Sequence, residues 1–178
     1  MVDEPVVFTS TVEGLIRAMG DKLDERAHKQ FADIGLVLKG TLQAAYPRSL
    51  WLAAGLLASQ ILFPQLPPEQ QRLNLGRRFV HGYSETIVGK ALLTMMRMLG
   101  PRRSLARLKK SFETGNNYSE VSMREVETGL ELDVGDAPYP EYYQGMVEAL
   151  LQLTGCKTYE VTPIRRVGNA TTYKISFT

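Results

Sequence analysis

Few side chains of this chain have the type and spacing that catalysis or metal binding requires. Its 178 residues include two histidines, His28 and His81, and neither stands in an HExxH pattern or another ligand spacing. Cys156 is the only cysteine, which excludes an intramolecular disulfide and a cysteine-based metal cluster. Because no histidine stands beside it, we predict that Cys156 is a buried structural thiol and not a nucleophile.

Two other patterns are similar to sites that bind phosphate or transfer protons. The segment from Gly82 to Lys90 has the general character of a phosphate-binding loop, but its glycines are too far apart and Ala91 stands where Ser or Thr is required. Asp133 and Asp136 are expected to lie near one strand end, without a partner base. We therefore expect no enzyme activity, no resident metal and no cofactor.

Composition predicts a single globular domain over residues 1–178. The chain is 44% hydrophobic and 22% charged, which is an ordinary globular composition. Its longest apolar stretch, Leu50 to Phe63, is interrupted by polar residues and is shorter than the roughly 20 residues that cross a bilayer. The acidic residues Asp3 and Glu4 do not fit a secretory signal, so we expect a cytoplasmic protein without membrane insertion.

Residues 1–115 are predicted to form a helical half. Ser10 and Glu13 have the spacing of a capping box at the start of the first helix, and Gly35 is typical of the end of the second. The predicted helices span residues 10–20, 22–34, 49–63, 67–99 with a break at Gly82 or Gly89, and 103–115. The buried positions expected on the last two are Phe79, Ile87, Leu92, Met95, Met96, Leu99, Leu105, Leu108 and Phe112.

Residues 116–178 are predicted to form a ββαββ unit, because the period of the apolar residues changes to two. Four alternating segments are typical of antiparallel strands with one buried face. Turns are expected at Glu127-Thr128-Gly129 and at Val167-Gly168-Asn169. A helix that begins at Pro140 and ends before Gly155 is expected to cover the sheet. The predicted fold class is therefore α+β: a helical half followed by a four-stranded antiparallel sheet of two hairpins separated by one helix.

The charged residues are unevenly distributed. Residues 77–115 contain nine Lys or Arg against two Asp or Glu, whereas residues 116–178 contain five against nine. Six basic residues form a stretch without an acid, the basic stretch: Arg97, Arg102, Arg103, Arg107, Lys109 and Lys110. Two interpretations stay open for it. It is either a face that attracts phosphate or an acidic protein, or a solvated helix face neutralised by the acidic C-terminal unit.

The order of elements resembles a known sensor architecture. A helical half, a basic amphipathic helix, a hairpin, a helix that carries Tyr142 to Glu148 and a final hairpin are similar to the heme nitric-oxide/oxygen binding (H-NOX) domains. The same order is similar to their relatives, the 4-vinyl-reductase-type sensor domains and the TRAPP-type trafficking subunits. The resemblance implies an H-NOX-like fold.

The heme signatures of that superfamily have no counterpart here. Its heme-binding branch has an axial histidine near the start of the helix before the first hairpin, and a Tyr-x-Ser-x-Arg motif on the heme propionates. The corresponding segments in this chain are Arg103-Ser104-Leu105 and Val134-Gly135-Asp136-Ala137-Pro138. The resemblance therefore implies a relative that does not use heme.

Several short segments resemble a myxobacterial paralogous family of uncharacterised proteins over nearly the whole length. They are Tyr46-Pro47-Arg48, Gly76 to Tyr83, Gly115-Asn116-Asn117-Tyr118 and Tyr143-Gln144-Gly145. That family looks like a heme-less branch of the same superfamily. The resemblance implies the fold and assigns no catalytic residue.

The first function class, which the superfamily's other members imply, is a non-enzymatic sensory or regulatory domain. It would bind a small apolar ligand between the helical half and the sheet, independently of heme. Aromatic and methionine side chains supply an adaptable apolar lining for such a site. The candidate wall residues are Trp51, Phe79, Tyr83, Met95, Phe112 and Tyr118, each of which also suits an ordinary core.

The second class is a protein-interaction module that uses exposed helix faces. The basic stretch from Arg97 to Lys110 would then bind an acidic protein partner, or the acidic unit of a second copy in a homodimer. Nucleic-acid binding is disfavoured, because the Gly100-Pro101 corner is only loosely similar to a helix-turn-helix and the net charge is +2. An enzyme ranks last, for lack of a base, a nucleophile or a cofactor fingerprint.

Overall fold

The helices and strands follow the change of apolar period along the chain. The computed structural model describes residues 4–127 and 129–178, so the first three residues and Thr128, the middle of the first predicted turn, lie outside the described part. The helices are α1 (Thr9–Met19), α2 (Glu25–Asp33), α3 (Arg48–Leu62), α4 (Pro68–Tyr83), α5 (Ile87–Ala106), α6 (Leu108–Glu113) and α7 (Pro140–Leu153). The strands are β1 (Val6–Phe8), β2 (Ala45–Pro47), β3 (Val121–Val126), β4 (Gly129–Val134), β5 (Tyr159–Val167) and β6 (Ala170–Phe177).

The four-stranded sheet confirms the predicted fold class. Its strand order is β3-β4-β6-β5 and all its pairs are antiparallel. Leu132 of β4 lies opposite Met123 of β3 and Tyr173 of β6, so side chains of all three strands share one face. On that face Leu132, Tyr173 and Ile175 are fully buried. The alternating pattern in the sequence therefore marks one buried face and one polar face, as predicted.

A second, two-stranded sheet was not predicted. β1 pairs antiparallel with β2, and Val7 also forms a bridge with Asn116 at the end of the helical half. The amide of Phe8 donates to the carbonyl oxygen of Gly115 over 2.9 Å. Strands of three residues are too short to show an alternating pattern, and only the tertiary fold brings their pairing partners together.

The predicted capping box at the first helix is wrong. α1 begins at Thr9, directly after extended Phe8, and no side chain caps it. The hydroxyl of Ser10 donates instead to the carbonyl oxygen of Thr114 over 3.3 Å. The amide of Thr9 donates to the carbonyl oxygen of Ala44, so pairing at the end of β1 sets the start of this helix. α2 likewise begins at Glu25, three residues later than predicted, because Asp24 caps it through the amide of Ala27.

The long fourth helical region divides where the sequence predicted a break. α4 ends at Tyr83, and α5 begins after Thr86, whose hydroxyl oxygen accepts a hydrogen bond from the amide of Gly89 over 3.0 Å. Ile87 is wrongly predicted as buried, since it is 90% exposed in the first turn of the new helix. The predicted Gly100 corner bends α5, because Gly100 adopts a φ of 73°. The final helix divides once more, between α5 and α6.

α7 covers the buried face of the sheet and also packs against α4 at very short range. A Cβ atom at Gly76 of α4 would lie 2.0 Å from the carbonyl oxygen of Tyr142. A Cβ atom at Gly145 of α7 would lie 2.1 Å from the carbonyl oxygen of Leu73. The two helix backbones approach so closely that only glycine fits at either position. α7 therefore lies between the helical half and the sheet.

The structure contains two hydrophobic cores. The helical core is formed around Leu15, Met19 and Phe31, whereas the sheet core contains Leu132 and Leu151 together with residues of α5 and α6. Tyr142 packs against both cores. Where the halves meet, Arg48 at the start of α3 pairs through Nε and Nη2 with the carboxylate of Asp136. Such a two-point ion pair fixes the geometry of the groups that it joins.

Candidate functional site

A cavity lies where the two cores meet; we call it the central cavity. Its volume is about 120 Å³. Val7 and Thr11 line one side, α4 contributes Phe79, Val80 and Tyr83, and residues of α3, α5, α6, α7 and the segment after α6 complete the wall. No strand of the four-stranded sheet contributes a described residue to its wall. α7 separates this cavity from the sheet, because it packs on the sheet's buried face, and the ligand position between helical half and sheet stays a prediction.

Five of the six candidate wall residues line this cavity: Trp51, Phe79, Tyr83, Phe112 and Tyr118. Met95 does not line it, and its sulfur accepts a hydrogen bond from Nη1 of Arg107 over 3.5 Å. The α5 side chains at the wall are Leu92 and Met96. These two are four positions apart and share one helix face, so the neighbouring Met95 points elsewhere.

Aromatic rings line much of the wall. Phe79 is at their centre, with ring centroids 5.7 Å from Trp51, 6.0 Å from Tyr83 and 5.9 Å from Tyr142. Tyr143 lies 6.0 Å from Phe112 and 5.5 Å from Tyr142. These separations are those of stacked and edge-to-face aromatic pairs, which fix the ring orientations.

Tyr142 and Tyr143 of α7 are wall residues that the candidate set did not contain. The sequence pattern predicted only that the helix which carries both residues covers the sheet. Tyr142 and Met146 are four positions apart and both line the cavity. This spacing was a usable signal, because α7 has one apolar face toward the sheet and a second toward the helical half.

The tyrosine hydroxyls at the wall differ in their partners. The hydroxyl of Tyr143 donates to the carbonyl oxygen of Asp136 over 2.9 Å. The hydroxyl of Tyr83 lies 3.4 Å from that of Thr114. Burial raises the pKa of Tyr118 to about 12, although the positive charge of Arg48 opposes the shift. Burial, reinforced by the neighbouring tyrosines, raises the pKa of Tyr142 well above its usual value of 10.0. The hydroxyls of Tyr118 and Tyr142 therefore keep their protons near neutral pH.

The residues singled out for metal binding or catalysis lie apart from the cavity. His28 is on α2, His81 is exposed on α4, and Cys156 is buried in the sheet core. Burial raises the pKa of the Cys156 thiol, which disfavours the reactive thiolate. Within the described residues no group of three or more His, Cys, Asp or Glu side chains is placed to hold a metal ion.

The two aspartates of the predicted strand end serve different ion pairs. Asp136 pairs with Arg48, as described above. Asp133 accepts hydrogen bonds from Arg124 over 2.8 Å and from the hydroxyl of Thr172 over 2.5 Å. Each carboxylate is engaged in structure, and the two do not form an acid-base pair.

The basic stretch is exposed, and two of its members have partners elsewhere in the chain. Nε of Arg97 donates to the carbonyl oxygen of Leu153 at the end of α7, over 3.1 Å. Arg102 forms an exposed ion pair with Glu125 of β3 at 2.7 Å. Lys109 borders a surface groove that also contains acidic residues. The remaining members, Arg103, Arg107 and Lys110, are exposed on α5 and at the start of α6. In part, therefore, the acidic C-terminal unit neutralises the stretch.

No helix in the described ranges has the length and the apolar character needed to cross a bilayer. The predicted apolar helix from Leu50 to Phe63 corresponds to α3, which packs with its buried residues Ala54 and Ala58 in the helical core.

The model of a family described as "Protein of unknown function (DUF2378)" matches residues 5–178. No curated protein matches the chain in sequence.

Solved H-NOX structures are similar to the chain over nearly its whole length. A mutant H-NOX of T. tengcongensis is 10% identical, covers 95% of this chain and 96% of its own, and has a TM-score of 0.69. An oxygen binding H-NOX domain related to soluble guanylate cyclases is 10% identical, covers 94% and 91%, and has a TM-score of 0.63. A mutant H-NOX protein of K. algicida, Fe(II) unliganded, is 13% identical, covers 95% of both chains and has a TM-score of 0.62. The H-NOX-like fold that the sequence implied is thereby confirmed.

Proposed function

The chain belongs to this family of unknown function, and we propose that it is a non-enzymatic sensory or regulatory domain that binds a small apolar ligand in the central cavity. The observation that carries the proposal is the cavity itself, an apolar and aromatic space at the meeting point of two cores. A concave site with a mainly apolar and aromatic lining is the usual form of a site that binds a small ligand.

The volume limits the ligand to a small molecule. Sites for drug-sized molecules and cofactors are roughly 300–1,000 Å³, whereas an apolar cavity of about 150 Å³ binds benzene. The central cavity, at about 120 Å³, belongs to the second group. A ligand of roughly six to eight non-hydrogen atoms is therefore the expected size.

The residues at the cavity do not fit a heme. Neither histidine and no cysteine lines it in the described chain, so the usual histidine or thiolate axial ligand is missing. The volume is also below that of cofactor sites. We propose a heme-independent site for these reasons.

The position of the cavity favours a regulatory role. Its wall includes residues of both cores, among them Trp51 of the helical core and Val147 of the sheet core. A ligand there would touch both halves at once. Binding would therefore favour whichever arrangement of the two halves closes around the ligand best, which is the thermodynamic basis of a sensor.

The first test is whether purified protein retains or binds a small apolar molecule. Native mass spectrometry of fresh protein, compared with the denatured mass, detects a retained ligand as mass that leaves on denaturation. Benzene is the added probe, and its binding is followed by chemical-shift changes in NMR spectra. We expect either retained mass or saturable benzene binding. A protein that is folded, carries no extra mass and does not bind benzene contradicts the proposal.

A cavity-filling variant locates the site. In Val147→Phe the larger side chain would occupy the central cavity, so benzene binding should be lost while the protein stays folded. Val88→Phe is the matched control, because Val88 is 41% exposed on α5 and does not line the cavity. Equal benzene binding by the wild-type protein and the folded Val147→Phe variant would place the ligand elsewhere.

A further inference from the structure

We infer that the ligand of the central cavity is a neutral, mainly apolar molecule with one oxygen that accepts a hydrogen bond from the Tyr142 hydroxyl. This inference rests on the proposed function, because it concerns the same cavity. What is added is the charge of the ligand and the side chain that recognises it.

The wall of the central cavity disfavours a charged ligand. Its described lining contains no Lys, Arg, His, Asp or Glu side chain. Arg48 lies nearby, with its guanidinium carbon 5.5 Å from the centre of the Tyr118 ring, but it is already paired with Asp136. An ion that entered would lose its hydration without gaining a counter-charge. A neutral ligand avoids this cost.

Tyr142 offers a polar group that the protein leaves unused. Its side chain is half-buried between the two cores and lines both the central cavity and a smaller one. Among residues 4–127 and 129–178 its hydroxyl has no hydrogen-bond partner. A hydroxyl that forms no hydrogen bond within the chain is free to pair with a ligand atom in a cavity that its side chain lines.

Tyr142 shares the wall of the central cavity with Tyr118 and Tyr143, and its ring centroid lies 5.5 Å from that of Tyr143. Tyr142 also borders a smaller cavity of about 30 Å³, which it shares with Trp51 and Leu15. Its pKa is raised by burial first and then by its proximity to the Tyr143 and Tyr118 hydroxyls. Both of these neighbours line the central cavity, and neither lines the smaller one.

The direction of the hydrogen bond follows from the chemistry of a phenol. A neutral phenol hydroxyl is a better donor than acceptor, and burial keeps this one protonated. The complementary ligand atom is therefore an acceptor, such as a ketone or ether oxygen. Tyr118 also lacks a partner in the described chain, but it borders an open surface groove where water reaches it.

Cyclohexanone and methylenecyclohexane test the inference, because they have nearly the same shape and differ in carrying an acceptor oxygen or a CH₂ group. The dissociation constants of both for the full chain are measured by NMR titration. We expect wild-type protein to bind cyclohexanone about tenfold more tightly, because methylenecyclohexane leaves the hydroxyl unpaired. In Tyr142→Phe this preference should disappear while methylenecyclohexane still binds. Tyr83→Phe is the matched control at the same wall and should keep the preference.

The outcomes separate the inference from its premise. Equal binding of the two probes by wild-type protein, or a preference that survives Tyr142→Phe, overturns the inference and leaves the proposed function standing. A preference that is lost in Tyr118→Phe instead also overturns it, since the hydrogen bond then comes from Tyr118. Binding of neither probe by folded protein contradicts the proposed function as well. The wild-type comparison alone decides whether the oxygen matters, even if Tyr142→Phe proves unstable.

Discussion

At the scale of single residues, the unusual feature of the structure is the burial of several tyrosine side chains, most of them at the candidate site. Tyr118, Tyr142, Tyr143 and Tyr173 are four of the chain's eight tyrosines, and burial raises the pKa of each above 10.0. In the unfolded chain the same hydroxyls would ionise near their ordinary pKa. The folded protein therefore holds more protons than the unfolded chain in moderately alkaline solution.

This difference predicts alkaline unfolding. Because the folded pKa is raised, the stabilising contribution of the neutral tyrosines is fully present below pH 10 and is lost as pH rises through the folded pKa, about 12 for Tyr118. Above pH 10 the free energy of unfolding should fall by about 1.4 kcal/mol per pH unit for each such tyrosine. Urea unfolding curves recorded at several pH values, from roughly 8 to 11, measure this slope.

The variant Tyr118→Phe checks the assignment of the slope. It removes one of the ionising groups, so its stability should fall less steeply with pH than that of the wild-type protein. A slope equal to that of the wild type would mean that Tyr118 has the same pKa in the folded and the unfolded protein. Tyrosinate absorbance, recorded in the same titrations, shows whether ionisation accompanies unfolding.

At the scale of elements, the packing of α7 against α4 decides where the site lies. Glycines at positions 76 and 145 let the two backbones meet, and this close approach sets the side of the cavity that Tyr142 and Met146 form. In the sequence the two glycines are visible only as poor helix formers inside predicted helices. Only the tertiary structure shows that each faces a backbone carbonyl of the opposite helix.

Alanine substitution of one packed and one free glycine tests this packing. Gly145→Ala should lower the free energy of unfolding by about 3 kcal/mol or more, because the added methyl group must push the α4 backbone away. Gly55 of α3 has no atom within 4 Å of a Cβ position. Gly55→Ala should therefore raise stability by about 0.5–1 kcal/mol, through the higher helix propensity of alanine. Thermal or urea unfolding measures both, and similar effects of the two substitutions would contradict the close contact.

At the scale of the whole molecule, the two cores are joined by α7 and by the Arg48–Asp136 ion pair. We propose that they unfold together as one domain. Trp51, the only tryptophan, reports on the helical core, whereas far-ultraviolet circular dichroism reports on helices and strands together. The two signals should give the same unfolding midpoint. A fluorescence midpoint clearly below the dichroism midpoint would show that the helical half melts separately.

The sequence alone determined the class of fold, because that class depends on local periodicity. The alternation in β4 and β6, the proline and glycine positions around α3 and α7, and the order of elements were enough to imply the H-NOX-like architecture that solved structures confirm. The sequence also indicated most of the aromatic residues of the cavity wall, because Trp51, Phe79 and Phe112 have large aromatic side chains. The binding role of these residues stays a proposal.

Only the tertiary structure decided the details on which the candidate site depends. A difference of one helical position decides whether Met95 or Met96 faces the cavity. Whether Ser10 caps a helix depends on the pairing of two strands that are far apart in the chain. Tyr142 is the clearest example, because only the tertiary structure places it against both cores and at the wall of the central cavity. Such features depend on contacts between distant segments, and neither spacing nor composition records those contacts.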